Sequence, residues 1–247
     1  MSKFTIMATW DDVPHLNEKD KQDLWNSIPA YQRDARSKGI PQLGSGAVYQ
    51  VNETDIKCAP FEIPPYWPML YGFDVGWHST AACWIAHDTQ SDVAYIYSVY
   101  KRGKVEPVVH AESIIARGGW IPGLIDPASS GSSQKDGSKL RDEYNDLGLN
   151  LYKADNAVES GIFAVEKRLT TGRLKVFSSC GDWFTEYRMY RRNEKGKIVK
   201  HNDHLMDCTR YAIMGLPFAS LPPDDDPDDN DYEFNETINH DKTAGWY

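Results

Sequence analysis

The sequence predicts an α/β protein: a mixed central β-sheet with its first three strands antiparallel, then alternating helices and strands, the whole flanked by helices. Three observations carry that prediction. Strand-like runs at 69–75, 80–87 and 92–100 follow one another across short polar turns, as an antiparallel meander does. Helical periodicity then alternates with short apolar runs from about 105 to 179. At 247 residues the chain also has ample length for an independent core.

Taken in order, Phe4–Thr9 reads as a short strand, followed by WDDVPHL and one helix reaching Gly39. Asn17 is its expected N-cap, and Leu24, Trp25, Ile28, Tyr31 and Ala35 recur at helical spacing. A Gly/Pro-rich linker containing Gly44-Ser45-Gly46 and a proline cluster, PFEIPPYWP, come next. Residues 1–65 show no core of their own and read as a lead-in, 66–220 as the folded domain and 221–247 as a tail. Within the domain, a helix over about 105–117 precedes a strand ending in Gly123-Leu124-Ile125-Asp126-Pro127. Helix–strand units follow at 137–147 with 149–154 and at 158–171 with 173–179. A helix near 183–190 leads into a charged hairpin-like stretch, YRRNEKGKIVKHN, and a last helix runs from Asp203 to Gly215.

Composition removes several function classes. No apolar run of 18 residues occurs, so no membrane span is expected, and MSKFTIMATWDD lacks the apolar region of a secretory signal. The four cysteines form no CxxC pair, which argues against zinc and against a disulfide framework. The net charge of -9 is concentrated in the tail, where nine acids from Asp224 to Asp241 face one base, Lys242. The remaining 26 bases and 27 acids nearly balance, so the overall sign does not exclude a nucleic-acid partner. The tail's Pro/Asp/Asn-rich composition predicts disorder.

The chemistry lies in the carboxylates. LYGFDVG sets Asp74 inside an otherwise apolar strand, where a charge needs hydrogen bonds or a positive neighbour. Asp126 ends a strand, where ligand sites of open α/β sheets lie, although an Asx turn before Pro127 would also explain it. Asp203 and Asp207 are four apart and share a helix face. Asp203 is equally explained as an N-cap; Asp207 is not, and a cation between the two would offset their repulsion. Together the four acids make a hard-oxygen set suited to Mg2+ or Mn2+. Two such ions about 3.5–4 Å apart serve phosphodiester hydrolysis.

This order of parts resembles the RNase H-like nuclease superfamily, and within it the C-terminal nuclease domain of tailed-bacteriophage terminase large subunits, which cut concatemeric DNA during packaging. The matching stretches are ATWDDVPHL, YQRDARSKGIPQLGSGAVYQV, YGFDVGW, LIDPASSG, NAVESGI, GRLKVFSSC and NEKGKIVKHNDHLMDCTRYA, from about residue 5 to 217. The last is the most specific: a charged hairpin feeding N-D-x-x-x-D-[AC]-x-R-Y-[AG]. The resemblance implies an RNase H-like fold and a metal-dependent endonuclease cutting double-stranded DNA with little sequence preference. It implies Asp74, Asp126 and Asp203 as ligands of Mg2+ or Mn2+, two ions in all, with Asp207 as a helper or further ligand. It also implies a portal protein and a small terminase subunit as partners, in the host cytoplasm and outside the mature virion, with no membrane. Two departures stand out. His204 occupies a position where many relatives carry a second consecutive Asp, which implies a weaker second ion. No G-x-x-x-x-G-K-[ST] loop occurs, so the sequence is expected to be an excised nuclease portion, with 1–65 resembling the segment that joins a packaging ATPase to it.

Around the hairpin, Arg188, Arg191, Arg192, Lys195, Lys197 and Lys200 form a candidate DNA-phosphate surface that Lys135, Lys139 and Arg141 could extend. Glu159 reads as a first-turn helix acid and His78 as a surface histidine. Two other functions fit the same residues: a structure-selective, resolvase-like nuclease, and a non-catalytic module docking on portal or capsid.

Overall fold

The computed structural model describes residues 8–28, 33–39, 46–126 and 136–223, with the side chains of 34, 35 and 136–139 excepted. Its seven strands are β1 (Lys57–Cys58), β2 (Met69–Asp74), β3 (Thr80–Asp88), β4 (Val93–Arg102), β5 (Gly123–Ile125), β6 (Leu151–Lys153) and β7 (Leu174–Phe177). They lie side by side in the order β1-β7-β4-β3-β2-β5-β6. The pairs β2–β3 and β3–β4 are antiparallel and every other pair is parallel. All strands except β3 therefore end on one edge of the sheet.

The helices are α1 (Glu18–Ser27), α2 (Arg33–Lys38), α3 (Glu53–Ile56), α4 (Pro107–Ile115), α5 (Asp136–Asp146), α6 (Val158–Thr170), α7 (Gly181–Met189) and α8 (His204–Met214). The period-2 alternation of β2 sorts them onto two faces. Leu70 joins a core with Val165 of α6, Trp183 of α7 and Leu205 and Cys208 of α8. Tyr71 and Phe73 point the other way, against Ala111 and Ile114 of α4 and Tyr144 of α5. By the same parity Gly72 and Asp74 share the α8 face. A methyl group at Gly72 would lie 1.9 Å from the Cys208 carbonyl oxygen. Glycine here lets the backbone of α8 rest directly on β2, beside Asp74.

The three antiparallel strands and the helix–strand units from α4 to β7 match the expected order. Three expectations change. Of the expected strand at Phe4–Thr9, residues 4–7 lie outside the described residues. Ala8 is in no strand, and Thr9 instead caps a single 3-10 turn, Trp10–Asp12, its hydroxyl accepting from the Asp11 amide. The expected single helix to Gly39 ends at Ser27, because Ile28 is extended (φ -93°, ψ 131°), as a residue before proline prefers. Its Asn17 cap holds, with Oδ1 accepting from the Asp20 amide at 2.9 Å. A seventh strand, β1, was not expected; it pairs with β7, and Tyr49 and Ile56 just before it are buried in the α8-face core. The segment 127–135, with Pro127 and Lys135, and the acidic tail from Asp224 lie outside the described residues. No helix among the described residues is long and apolar enough to cross a membrane.

Candidate metal centre

Asp74 and Asp126 leave neighbouring parallel strands side by side. Phe73 lies opposite Ile125, each acid is the next residue, and the Asp126 amide donates to the Phe73 carbonyl at 3.3 Å. Strand neighbours are about 4.8 Å apart, so the two backbones arrive together. From the α8 face, His204 Nδ1 sits 2.7 Å from Asp74 Oδ2. Burial pushes the Asp74 carboxyl above its ordinary value, the His204 contact opposes that rise, and the negative charges of Asp207 and Asp126 add to it. The same contact, with Asp74 accepting, raises His204.

Asp203 and Asp207 are 6% and 7% exposed, low for carboxylates, and both are met by cations. Lys200 Nζ lies 2.8 Å from Asp207 Oδ2 and 3.1 Å from Asp203 Oδ2. The Asp203 contact is an ion pair, on an oxygen that is otherwise buried without a hydrogen-bond partner. Burial would lower Lys200, yet the two carboxylates outweigh it and hold the ammonium above its usual value. Arg210, fully buried, donates to Asp207 Oδ1 from Nη2 at 2.7 Å and from Nε at 3.2 Å. The cation that the sequence calls for between Asp203 and Asp207 is thus a lysine ammonium.

Asp203 stands at the N-cap of α8 but makes no capping hydrogen bond with its side chain. Glu186 of α7, 1% exposed, does that work: its Oε2 accepts from the Leu205 amide at 2.6 Å, while Oε1 accepts from Lys101 of β4. The Asp203 carboxylate is thereby released from the helix end. Glu186 and Lys101 escaped the sequence reading because the contacts that define them cross from α7 to α8 and β4. Removing an N-cap costs about 0.5–2 kcal/mol. Glu186→Ala, which also leaves Lys101 without its carboxylate, is expected to lose at least that in urea denaturation, and Glu186→Gln, which keeps an acceptor, distinctly less.

The basic residues divide. Arg188 is bidentate on Glu53, with both hydrogen bonds at 2.7 Å, and Arg192 is bidentate on Glu159 at 2.9 and 2.6 Å. Lys200 faces the acids. Arg191, Lys195 and Lys197 are exposed on the hairpin, which closes through the Arg192–Ile198 bridge and a left-handed Gly196. Lys139 lies in α5 but its side chain is outside the described residues, and Arg141 pairs with Asp142.

Among the described residues, no three His, Cys, Asp or Glu side chains stand arranged around a metal position. His204 instead meets Asp74, and Lys200 and Arg210 meet Asp207. The donor chemistry nonetheless fits a hard divalent ion: carboxylates from β2, the end of β5 and the start of α8, one of them with a buried oxygen met by a lysine ammonium alone among the described residues.

The family described as the terminase RNase H-like domain matches residues 71–216, a span holding all four acids. The chain belongs to this family. It is 33% identical over 231 residues to the terminase large subunit of Salmonella phage P22, covering 90% of this chain and 46% of that protein. This terminase-family chain therefore spans about half the length of the curated relatives it matches. The solved P22 large terminase nuclease domain is 34% identical with a TM-score of 0.68, over 72% of this chain and 96% of that one. The large terminase nuclease of thermophilic phage G20c, solved with bound magnesium, has a TM-score of 0.51 at 13% identity, covering 69% and 98%. That last likeness is one of fold alone. The sheet and its flanking helices are RNase H-like, as the terminase nuclease domain is.

Proposed function

We propose that this terminase domain is a metal-dependent endonuclease that cuts concatemeric double-stranded DNA during phage genome packaging, with little sequence preference. The observation that carries the reading is that Asp74 and Asp126 leave neighbouring parallel strands side by side at one edge of the sheet, with the charge of Asp207 felt at Asp74. Its kinship with the P22 nuclease domain, and the magnesium bound in the G20c nuclease of like fold, support it. Asp74 would help hold both of two divalent ions, with Asp126 at one and Asp203 and Asp207 at the other. Ions so held would supply an activated water and stabilise the leaving oxygen.

The chain's own residues do the rest. β2 gives Asp74 a rigid mount, and His204 fixes the direction of its carboxylate. Arg210 anchors Asp207 from below through Oδ1, so that Oδ2 is the oxygen turned to Lys200. Lys200 neutralises Asp203 and Asp207 and competes with any cation approaching them. Arg191, Lys195 and Lys197 would meet DNA phosphates without reading sequence. In the same reading, residues 1–65 would lead from a packaging ATPase into the sheet that β1 joins, and portal protein and small terminase subunit would be partners in the host cytoplasm.

The test is plasmid cutting. Supercoiled DNA is expected to be nicked and linearised with Mn2+ or Mg2+, not with excess EDTA, and linear duplex is expected to be cut as readily as branched DNA. Cutting that persists in EDTA, or that is confined to branched DNA, would contradict the proposal.

A further inference from the structure

Asp207 carries two cations of opposite character. Arg210, fully buried, grips Oδ1 through two nitrogens and cannot leave without stranding a charge. Lys200 holds Oδ2 at 2.8 Å and reaches Asp203 Oδ2 at 3.1 Å. Its own side chain is 61% exposed, against 8% and 10% for the two carboxylates. The ammonium therefore stands between the acids and solvent. On the Asp203 oxygen it is the one partner among the described residues.

The backbone is shaped to put it there. Asn202 is left-handed at φ 51°, a region in which asparagine is enriched, and the His201 amide donates back to the Val199 carbonyl at 2.9 Å. These bends fold the chain over the start of α8, so Lys200 meets one acid three residues on and another seven on. Capping does not require them, since Glu186 already caps α8 through the Leu205 amide. Formally, two carboxylates face one ammonium and one guanidinium, so the set is neutral. A neutral set attracts a divalent ion weakly, whereas the same acids with Arg210 alone would carry a net negative charge. The lysine charge is strongly hydrated and rides on a flexible stem, so it can swing to water where the guanidinium cannot.

We propose that Lys200 is an exchangeable counter-cation, whose ammonium balances Asp203 and Asp207 until a divalent ion takes its place. The proposal rests on the nuclease reading given above and adds a regulation to it. The ion at Asp203 and Asp207 is taken up by exchange, and is therefore the weaker of the two.

The test counts Mn2+ bound at equilibrium, from the free Mn2+ signal in electron paramagnetic resonance, with no DNA present. The parent is expected to bind one ion tightly and a second weakly. Lys200→Met removes the charge and offers only a soft thioether, a poor ligand for Mn2+. It is expected to bind the second ion at least about tenfold more tightly, the least that removing a like charge about 4 Å away should give near a protein surface. Lys200→Arg, which keeps the charge, should stay at the parent value. So should Lys167→Met, which loses a charge from the exposed last turn of α6. Without metal, Lys200→Met should melt below the parent, and Mn2+ should raise its melting temperature by more than the parent's. A Lys200→Met protein with the parent's second-ion affinity or the parent's response to Mn2+ overturns the exchange. A gain shared by Lys200→Arg or Lys167→Met does the same, and in each case the first ion still stands. If none of the four proteins binds Mn2+, the nuclease reading falls together with the exchange.

Discussion

Asp74→Asn and Asp126→Asn are each expected to abolish Mn2+-dependent plasmid cutting while the fold survives. Losing a residue that merely orients a metal ligand typically costs 10–100-fold, so losing a ligand carboxylate should cost at least about 10²-fold. Stability should move little. Burial already disfavours the charge on Asp74, an amide carries none, and an Asn there can still hydrogen-bond His204. Gel assays of nicked and linear product, read beside thermal melts, check both halves. Undiminished cutting by both variants would sink the assignment.

Arg210→Met is expected to be the most destabilising single change at the site, by about 3–5 kcal/mol, because it strands Asp207 as a buried charge. The guanidinium is fully buried, also lies 5.2 Å above the Tyr211 ring, and carries one unpartnered nitrogen, Nη1. Asp207 would keep Lys200, but that amine stands at the solvent side, with its side chain 61% exposed. Replacing both partners, Arg210→Met/Asp207→Leu, should regain much of the loss, since an apolar pair carries no desolvation cost. Urea denaturation of the single and double variants measures this. A single variant as stable as the parent would contradict the role given to Arg210 as the anchor of Asp207.

What the sequence made legible was local or periodic. Gly and Pro punctuation bounded β2 to within a residue, and helical spacing marked α6 and α8. β1 has two residues, too few to show any period, and is a strand only because β7 lies beside it. The break after Ser27 turns on a proline following Ile28, outweighed in the sequence reading by continuing helical spacing. At the site, the four acids stood out together rather than singly, since a turn would explain Asp126 and an N-cap Asp203. Their partners did not, because Arg188 meets Glu53 135 residues away and His204 meets Asp74 130 residues away. Arg188 and Arg192 read as phosphate contacts in a charged stretch, yet the fold gives each a carboxylate. Asp203 had the position of a cap, and only the packing of α7 shows Glu186 filling that role.

Whether these acids jointly hold catalytic metal is decided by anomalous diffraction from Mn2+-soaked crystals. The expected result is Mn2+ bound by Asp74 and Asp126, with density for a second ion toward Asp203 and Asp207 and the Lys200 ammonium moved off them. Crystals soaked alike but showing no ion at Asp74, with Lys200 still seated between Asp203 and Asp207, would contradict it.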